Sequence, residues 1–350
     1  MSRSSRTAFT AVTSKNDDPE LTHRLSRRGM LGVAAGATAA ALLGTAATPA
    51  TAAETGRSRP VLPPGRLGIQ LYSLRDKVST LGFAPVFAEL KKYGYDEVEF
   101  AGYTQGSAGP ITLAQLKRLA RDHGLNPIGS HVGYYSSDPN AYTFAQNLNK
   151  VLDDAQALGL KHIGTASNPF RYGSTVDAWK RAAEEFNTYG AAARARGMKF
   201  YQHNHSEEFS FATDKPNVRL YDVLLAETDP KLVYLEMDIY WAYVGQFRFS
   251  KRVDGTPAPF EPLDYVLKRP NRYPLFHVKD GVSDPSNPFG YQMTDVGDGD
   301  IDYKRFISGV TRLKGHRLAH HWQAEHDNPT ESFTFARRSS EHLHSLREKC

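Results

Sequence analysis

The chain has 350 residues, with 43 Lys and Arg against 38 Asp and Glu, 13 His and a single cysteine, Cys350. One cysteine excludes a disulfide framework and a thiolate metal cage, so any metal must be held by His, Asp and Glu. Six of the basic and three of the acidic residues fall in residues 1–52, leaving 37 against 35 for the rest; so near-neutral a body argues against a polyanionic partner, and no nucleic acid is expected.

Residues 1–52 read as a signal peptide. Ser26-Arg27-Arg28-Gly29-Met30-Leu31 has the form of a twin-arginine export motif, a weakly apolar run follows from Met30 to Ala47, and Ala50-Thr51-Ala52 places a cut near Ala53. The run is short and rich in Gly and Ala beside the ~20 apolar residues a spanning helix needs. No stable membrane anchor is therefore expected, and the mature chain is expected to be extracellular or periplasmic. Residues 53–65, rich in Pro, Gly, Ser and Arg, read as a linker, and 66–350 as one domain.

Within that domain one unit recurs: a short apolar strand, a polar loop, an amphipathic helix, then often a glycine. Strands are predicted at Leu67–Leu74, Glu97–Phe100, Asn126–His131, His162–Ala166, Met198–His203, Val233–Asp238, Pro274–Lys279 and Leu318–Glu325. Helices are predicted near Ala84–Tyr93, Leu113–His123, Ala141–Leu158, Val176–Arg196, Arg219–Glu227, Pro262–Lys268, Tyr303–Lys314 and Glu331–Glu348. Gly94, Gly124, Gly159, Gly197 and Gly315 stand where helices would stop. Eight strand-then-helix units predict an α/β fold, a (β/α)8 TIM barrel. A doubly wound open sheet lacks support, because no Gly-x-Gly-x-x-Gly follows the first strand. Gly297-Asp298-Gly299-Asp300 reads as a turn between strand seven and its helix, with a backbone amide near substrate.

A barrel of this kind places its active site at the C-terminal ends of the strands, and polar groups recur there. The first strand offers Gln70, Tyr72 and Arg75, the second Glu99, the third His131 and the fifth His203-Asn204-His205. The sixth offers Glu236, Asp238 and Trp241, the seventh His277 and Lys279, and the eighth Glu325. One histidine at a strand end is commonly structural. Four consecutive strands ending in His203, Asp238, His277 and Glu325 are harder to read that way, and the four can converge on one ion. Imidazole and carboxylate ligands suit a divalent Mn, Zn or Co, with Mg less favoured.

The chain resembles the sugar phosphate isomerase/epimerase superfamily of xylose isomerase-like TIM barrels. The motifs that carry the resemblance are Gln70-Leu71-Tyr72-Ser73-Leu74-Arg75-Asp76, His203-Asn204-His205 with Glu208-Phe209, Met237-Asp238-Ile239-Tyr240-Trp241 and His277-Val278-Lys279-Asp280. Val296-Gly297-Asp298-Gly299-Asp300-Ile301-Asp302 and Glu325-His326-Asp327 add to them, and together they span the domain from Leu67 onward. The resemblance implies a ligand set of Glu, Asp, His and Glu from strands five to eight. Asp238, His277 and Glu325 match the last three; His203 stands where relatives carry the first glutamate.

A divalent ion held against a keto sugar stabilises the enediolate formed when the neighbouring carbon loses its proton. Glu325 is the leading base, with Glu99 and His131 as other catalytic candidates. Lys279 is read either as an acid or as a salt-bridge partner. Gln70, Tyr72, His205, Glu236 and Trp241 are read as substrate-binding, with support of a metal ligand as the other reading of Glu236. Tyr134 joins Tyr72 and Trp241 as a candidate wall for a sugar face, and Phe100 is read as core. The expected function is a metal-dependent sugar isomerase or epimerase acting on a small-molecule, non-phosphorylated keto sugar. The alternatives are a metal-dependent lyase or hydrolase of 3-keto glycosides, or a non-catalytic sugar-binding protein. A homo-oligomer is compatible with all of these.

Overall fold

The computed structural model describes residues 58–349. The stretch read as a signal peptide and the first part of that read as a linker lie outside the described residues.

The domain is built on eight parallel strands: β1 Leu67–Gln70, β2 Glu97–Phe100, β3 Asn126–Ser130, β4 His162–Thr165, β5 Lys199–His203, β6 Val233–Asp238, β7 Leu275–Val278 and β8 His321–Ala324. They neighbour one another in the order β3-β2-β1-β8-β7-β6-β5-β4, joined by seven parallel ladders. A single parallel bridge between His131 and Gly164 closes the ring, carried by Val132 N donating to Gly164 O at 2.8 Å. The predicted eight-stranded α/β barrel is therefore the observed one.

Local chemistry explains most element boundaries. Thr112, Thr143 and Thr175 each cap a following helix by accepting from a backbone amide three residues on. Thr112 adds the reciprocal bond from Gln115 that makes a capping box. At the other end of Phe144–Leu158, Gly159 takes φ 85° and returns its amide to Ala155 O at 3.1 Å.

Alternation along the strands sorts the two faces. Val98, Phe100, Met237, Phe276 and Val278 turn outward to the helix layer and are buried there. Most inward positions are polar: Glu97, Glu99, His203, Glu236, Asp238, His277 and Gln323 are each at most 1 % exposed, and Ile128, Tyr201 and Leu275 form a small apolar cluster apart from the main core. Barrels of this class usually fill that space with branched apolar side chains, so a polar interior needs a partner for every group. Close approach is part of the solution: a Cβ on Gly68 would lie 1.9 Å from Gln323 Oε1.

Five differences from the sequence reading stand out. β1 stops at Gln70, whose side chain accepts from Tyr72 N and turns Leu71–Leu74 into a 3-10 helix. An unforeseen helix, Ile239–Arg248, follows β6 directly and is capped by Asp238, whose Oδ1 accepts from Trp241 N at 2.9 Å. The stretch read as linker is fixed from Ser58 on: Ser58–Pro60 pairs antiparallel with Arg347–Lys349, and Val61 and Leu62 are buried. Beyond β7, Asp280–Ser283 and Tyr291–Thr294 form a hairpin. The Gly297–Asp300 turn does not offer its amides to a ligand, because Gly297, Gly299 and Ile301 donate them to the buried Asp280 carboxylate. Among the described residues, no helix is long and apolar enough to cross a membrane.

Candidate metal centre

At the C-terminal ends of β5 to β8 four side chains converge. His277 Nδ1, Asp238 Oδ2 and a Glu325 oxygen lie within 4.8 Å of one another. All three atoms are buried: His277 Nδ1 is in ion-pair contact with Glu325 Oε2, and the two carboxylate oxygens have Lys279 Nζ as their one cation besides the imidazole. His203 adds Nε2 at 3.7 Å from Asp238 Oδ2. Two carboxylates and two imidazoles crowded at one point, sharing a single lysine, are rich in electron-pair donors for the positive charge present, and form a donor set that fits a divalent cation.

Each imidazole is fixed from behind. His277 Nε2 lies 2.7 Å from Glu99 Oε2, whose other oxygen accepts from Tyr201 OH. His203 Nδ1 lies 3.2 Å from Glu236 Oε2, which also holds His131 Nε2 at 2.6 Å. A carboxylate on the far nitrogen sets the tautomer and the ring plane, as is usual for a metal-binding histidine. His131, His203, His277 and Glu236 form a second convergent group. Its nitrogens already point at one Glu236 oxygen, and Glu236 is fully buried, so it serves as scaffold beneath the open group.

The charges follow from this arrangement. Burial alone would raise Glu236, but His277 and His131 hold its carboxyl well below the usual range. Glu99 is pushed up by burial and by the charge on Glu236. Burial lowers His277, yet Glu236, Glu325 and Glu99 together keep it well above an ordinary imidazole. Burial, with His277, holds His203 well below that range. Asp238 is pushed up to about 6 by burial, against the pull of Lys279 and His277.

Lys279 Nζ lies 2.9 Å from Asp238 Oδ2, 3.0 Å from Glu325 Oε2 and 2.7 Å from Asp327 Oδ1. Burial opposes its charge, but those three carboxylates hold the ammonium well above its usual value. A cleft of about 430 Å³ opens above the centre, lined by His131, His203, His205, Lys279, Glu325 and Asp327, with Tyr72 and Asn328 at its edge.

The predicted residues fall into three groups. His203, Asp238, His277, Glu325 and Lys279 meet at the centre, and His131, Tyr72 and His205 line the cleft. Glu99 and Glu236 do not reach the cleft: both are fully buried and back the histidines, so neither is placed to take a proton from a ligand or to bind one. Gln70 is fully buried with Oε1 on Tyr72 N, and Trp241 stands at the margin, its ring 5.8 Å from that of His205. Tyr134 is no sugar wall, because it is buried with its hydroxyl on Glu185, whereas Phe100 packs on Phe83 as core. Asp327 is the residue the sequence reading left without a role. Its signal is its position two residues past Glu325.

An eight-stranded barrel with a His and carboxylate centre at the strand C-termini defines a class of proteins. Residues 87–344 match the family described as the xylose isomerase-like TIM barrel, and the chain belongs to that family. A sugar phosphate isomerase/epimerase from Parabacteroides distasonis is similar over 80% of this chain and 94% of its own, with 22% identity and a TM-score of 0.61. A second from the same organism covers 79% and 97%, with 24% identity and a TM-score of 0.60. The IolI protein, solved with a bound zinc atom, covers 80% and 98%, with 14% identity and a TM-score of 0.58. At these identities the likeness is one of fold. No functionally curated protein is similar in sequence.

Proposed function

We propose that the protein is a divalent-metal-dependent isomerase or epimerase of a non-phosphorylated keto sugar, working by proton transfer beside the carbonyl. The observation that carries this reading is the convergence of buried His277 Nδ1, Asp238 Oδ2 and Glu325 Oε2 within 4.8 Å of one another at the base of a cleft. His203, Asp238, His277 and Glu325 would hold the ion. Their donor atoms suit Mn, Zn or Co, with Mg less favoured, and the IolI protein of the same fold was solved with zinc. When bound, the ion supplies a Lewis acid that draws electrons from a keto oxygen and acidifies the adjacent C–H.

The chain's own groups supply the rest. Glu325 lines the cleft and is the carboxylate placed to take that proton. Lys279, held protonated, donates to a substrate oxygen rather than acting as base. His131, backed by Glu236, is the second group in the cleft able to carry a proton. Lys279 is the one Lys or Arg lining the cleft and is already committed to three carboxylates, which disfavours a phosphorylated ligand. With the twin-arginine reading of residues 1–52, the substrate is a sugar outside the cytoplasm.

A second reading rests on His203 standing where relatives of this family carry a glutamate, which leaves one carboxylate fewer for returning a proton. In that reading the proton leaves the carbon next to a 3-keto group, the C–O bond to the aglycone breaks, and the expelled oxygen takes a proton. The products are an unsaturated ketone and an alcohol.

The test is metal analysis of the purified protein, followed by turnover of keto sugars and 3-keto glycosides with added Mn in deuterated water. Bound divalent metal, EDTA-sensitive turnover and deuterium next to a carbonyl are expected. A metal-free protein whose stability and turnover ignore EDTA would overturn the proposal.

A further inference from the structure

Beside the cleft lies a second cavity of about 560 Å³, between the loops that follow β2 and β3. The two cavities share Ala101 and His131, so a ligand over the metal centre adjoins the second space directly. Its walls are aromatic and aliphatic: Tyr103, Ile111, Leu113, Val132 and Tyr142. The charged residues on it cancel, because Lys150 Nζ lies 2.8 Å from Asp154 Oδ2, which also accepts from Tyr142 OH at 3.0 Å. Its one unmatched polar group is the buried Tyr103 hydroxyl, which makes no hydrogen bond. The centre itself uses none of these walls.

We propose that this cavity is an aglycone subsite, so that the substrate is a glycoside carrying an uncharged aromatic or alkyl group rather than a free monosaccharide. The proposal rests on the 3-keto glycoside reading given above and deepens it. An apolar space paired so tightly with a polar cleft selects a ligand with one hydroxylated and one apolar half. A charged aglycone would lose its hydration with no opposite charge to meet it, since Lys150 and Asp154 are spent on each other. The Tyr103 hydroxyl matches an ether or phenolic oxygen near the glycosidic bond.

The experiment uses the metal-loaded chain and two unoxidised probes, phenyl β-D-glucoside and methyl β-D-glucoside, with binding followed by calorimetry so that no turnover is needed. The phenyl glucoside is expected to bind roughly tenfold more tightly, as burial of one ring implies. Ile111→Trp fills the cavity and should bring the ratio near one while leaving the methyl glucoside unchanged. Tyr103→Phe removes the hydroxyl placed for the glycosidic oxygen that both probes carry, so it should weaken both and keep the phenyl preference, and an unaltered metal content verifies that each variant is folded. Equal binding of the two probes by the native chain overturns the subsite but leaves the sugar reading standing, as does a phenyl preference untouched by Ile111→Trp. If neither probe binds the metal-loaded protein, the subsite falls, while the keto-sugar reading is decided by its own metal and deuterium test.

Discussion

The barrel interior holds a buried polar cluster at each end, and the two differ in what they leave unpaired. At the N-terminal end, Glu97 is saturated: His321 Nδ1 lies 2.8 Å from both of its oxygens, Gln323 Nε2 at 3.5 Å and Arg66 Nη1 at 3.7 Å. His162 beside it is held neutral by burial and spends Nδ1 on Ile128 O at 3.0 Å. At the C-terminal end, the carboxylates of Asp238, Glu325 and Asp327 crowd round the single ammonium of Lys279, and a cleft opens over them. Both clusters contain glutamate and histidine on strands. A buried charged residue therefore marks a functional site only where its pairing is incomplete and solvent or ligand can reach it.

Substitutions can break or sharpen that contrast. The largest effect is expected from Asp238→Ala: the barrel stays folded, metal content falls to background and turnover disappears, as metal analysis and assay would record. Lys279→Met removes a cation that shares oxygens with the ion. Metal should be retained at undiminished affinity while turnover falls by about 10²–10⁴-fold; a loss of metal would instead make Lys279 a structural member of the centre. Glu99→Gln leaves His277 without its anionic backing, and competition with a chelator should show metal affinity weakened by about 10–100-fold. At the opposite end, His321→Ala should lower unfolding free energy by about 1–3 kcal/mol in denaturant titration and leave metal content alone.

A last test, read in pH rather than in metal, concerns a buried acid outside both clusters. Burial pushes Glu208 up to about 8 although it accepts from His205 N. A carboxyl whose folded value is raised binds its proton more tightly when folded, so stability from this group declines as pH rises from about 4.5 toward about 8. Glu208→Gln should lack that decline, and its stability relative to the native chain should improve steadily across this window.

How much of this was legible beforehand varied with the kind of information needed. The eight strands were readable because each is a short apolar run set off by glycine or a threonine cap, and the candidate ligands were readable because a barrel puts function at strand ends. Ile239–Arg248 was hidden: Ile-Tyr-Trp-Ala-Tyr-Val has no polar face to mark a helix, and its cap, Asp238, had already been read as a ligand. The partners behind the ligands were hidden for a different reason. Glu99 meets His277 across 178 positions of sequence, and spacing names strand ends without saying which of them touch. The same limit left Glu97 and His321 unremarked, 224 positions apart.

The ring's closure has a consequence for motion. Seven of its seams are ladders, and the eighth is one bridge wide, at His131 and Gly164. A barrel can breathe at such a seam without unzipping the others. His131 and Val132 sit on that seam and also wall the second cavity. Widening it would enlarge the space for a bulky ligand, so amide exchange at Val132 and the largest ligand accepted become two readings of one opening.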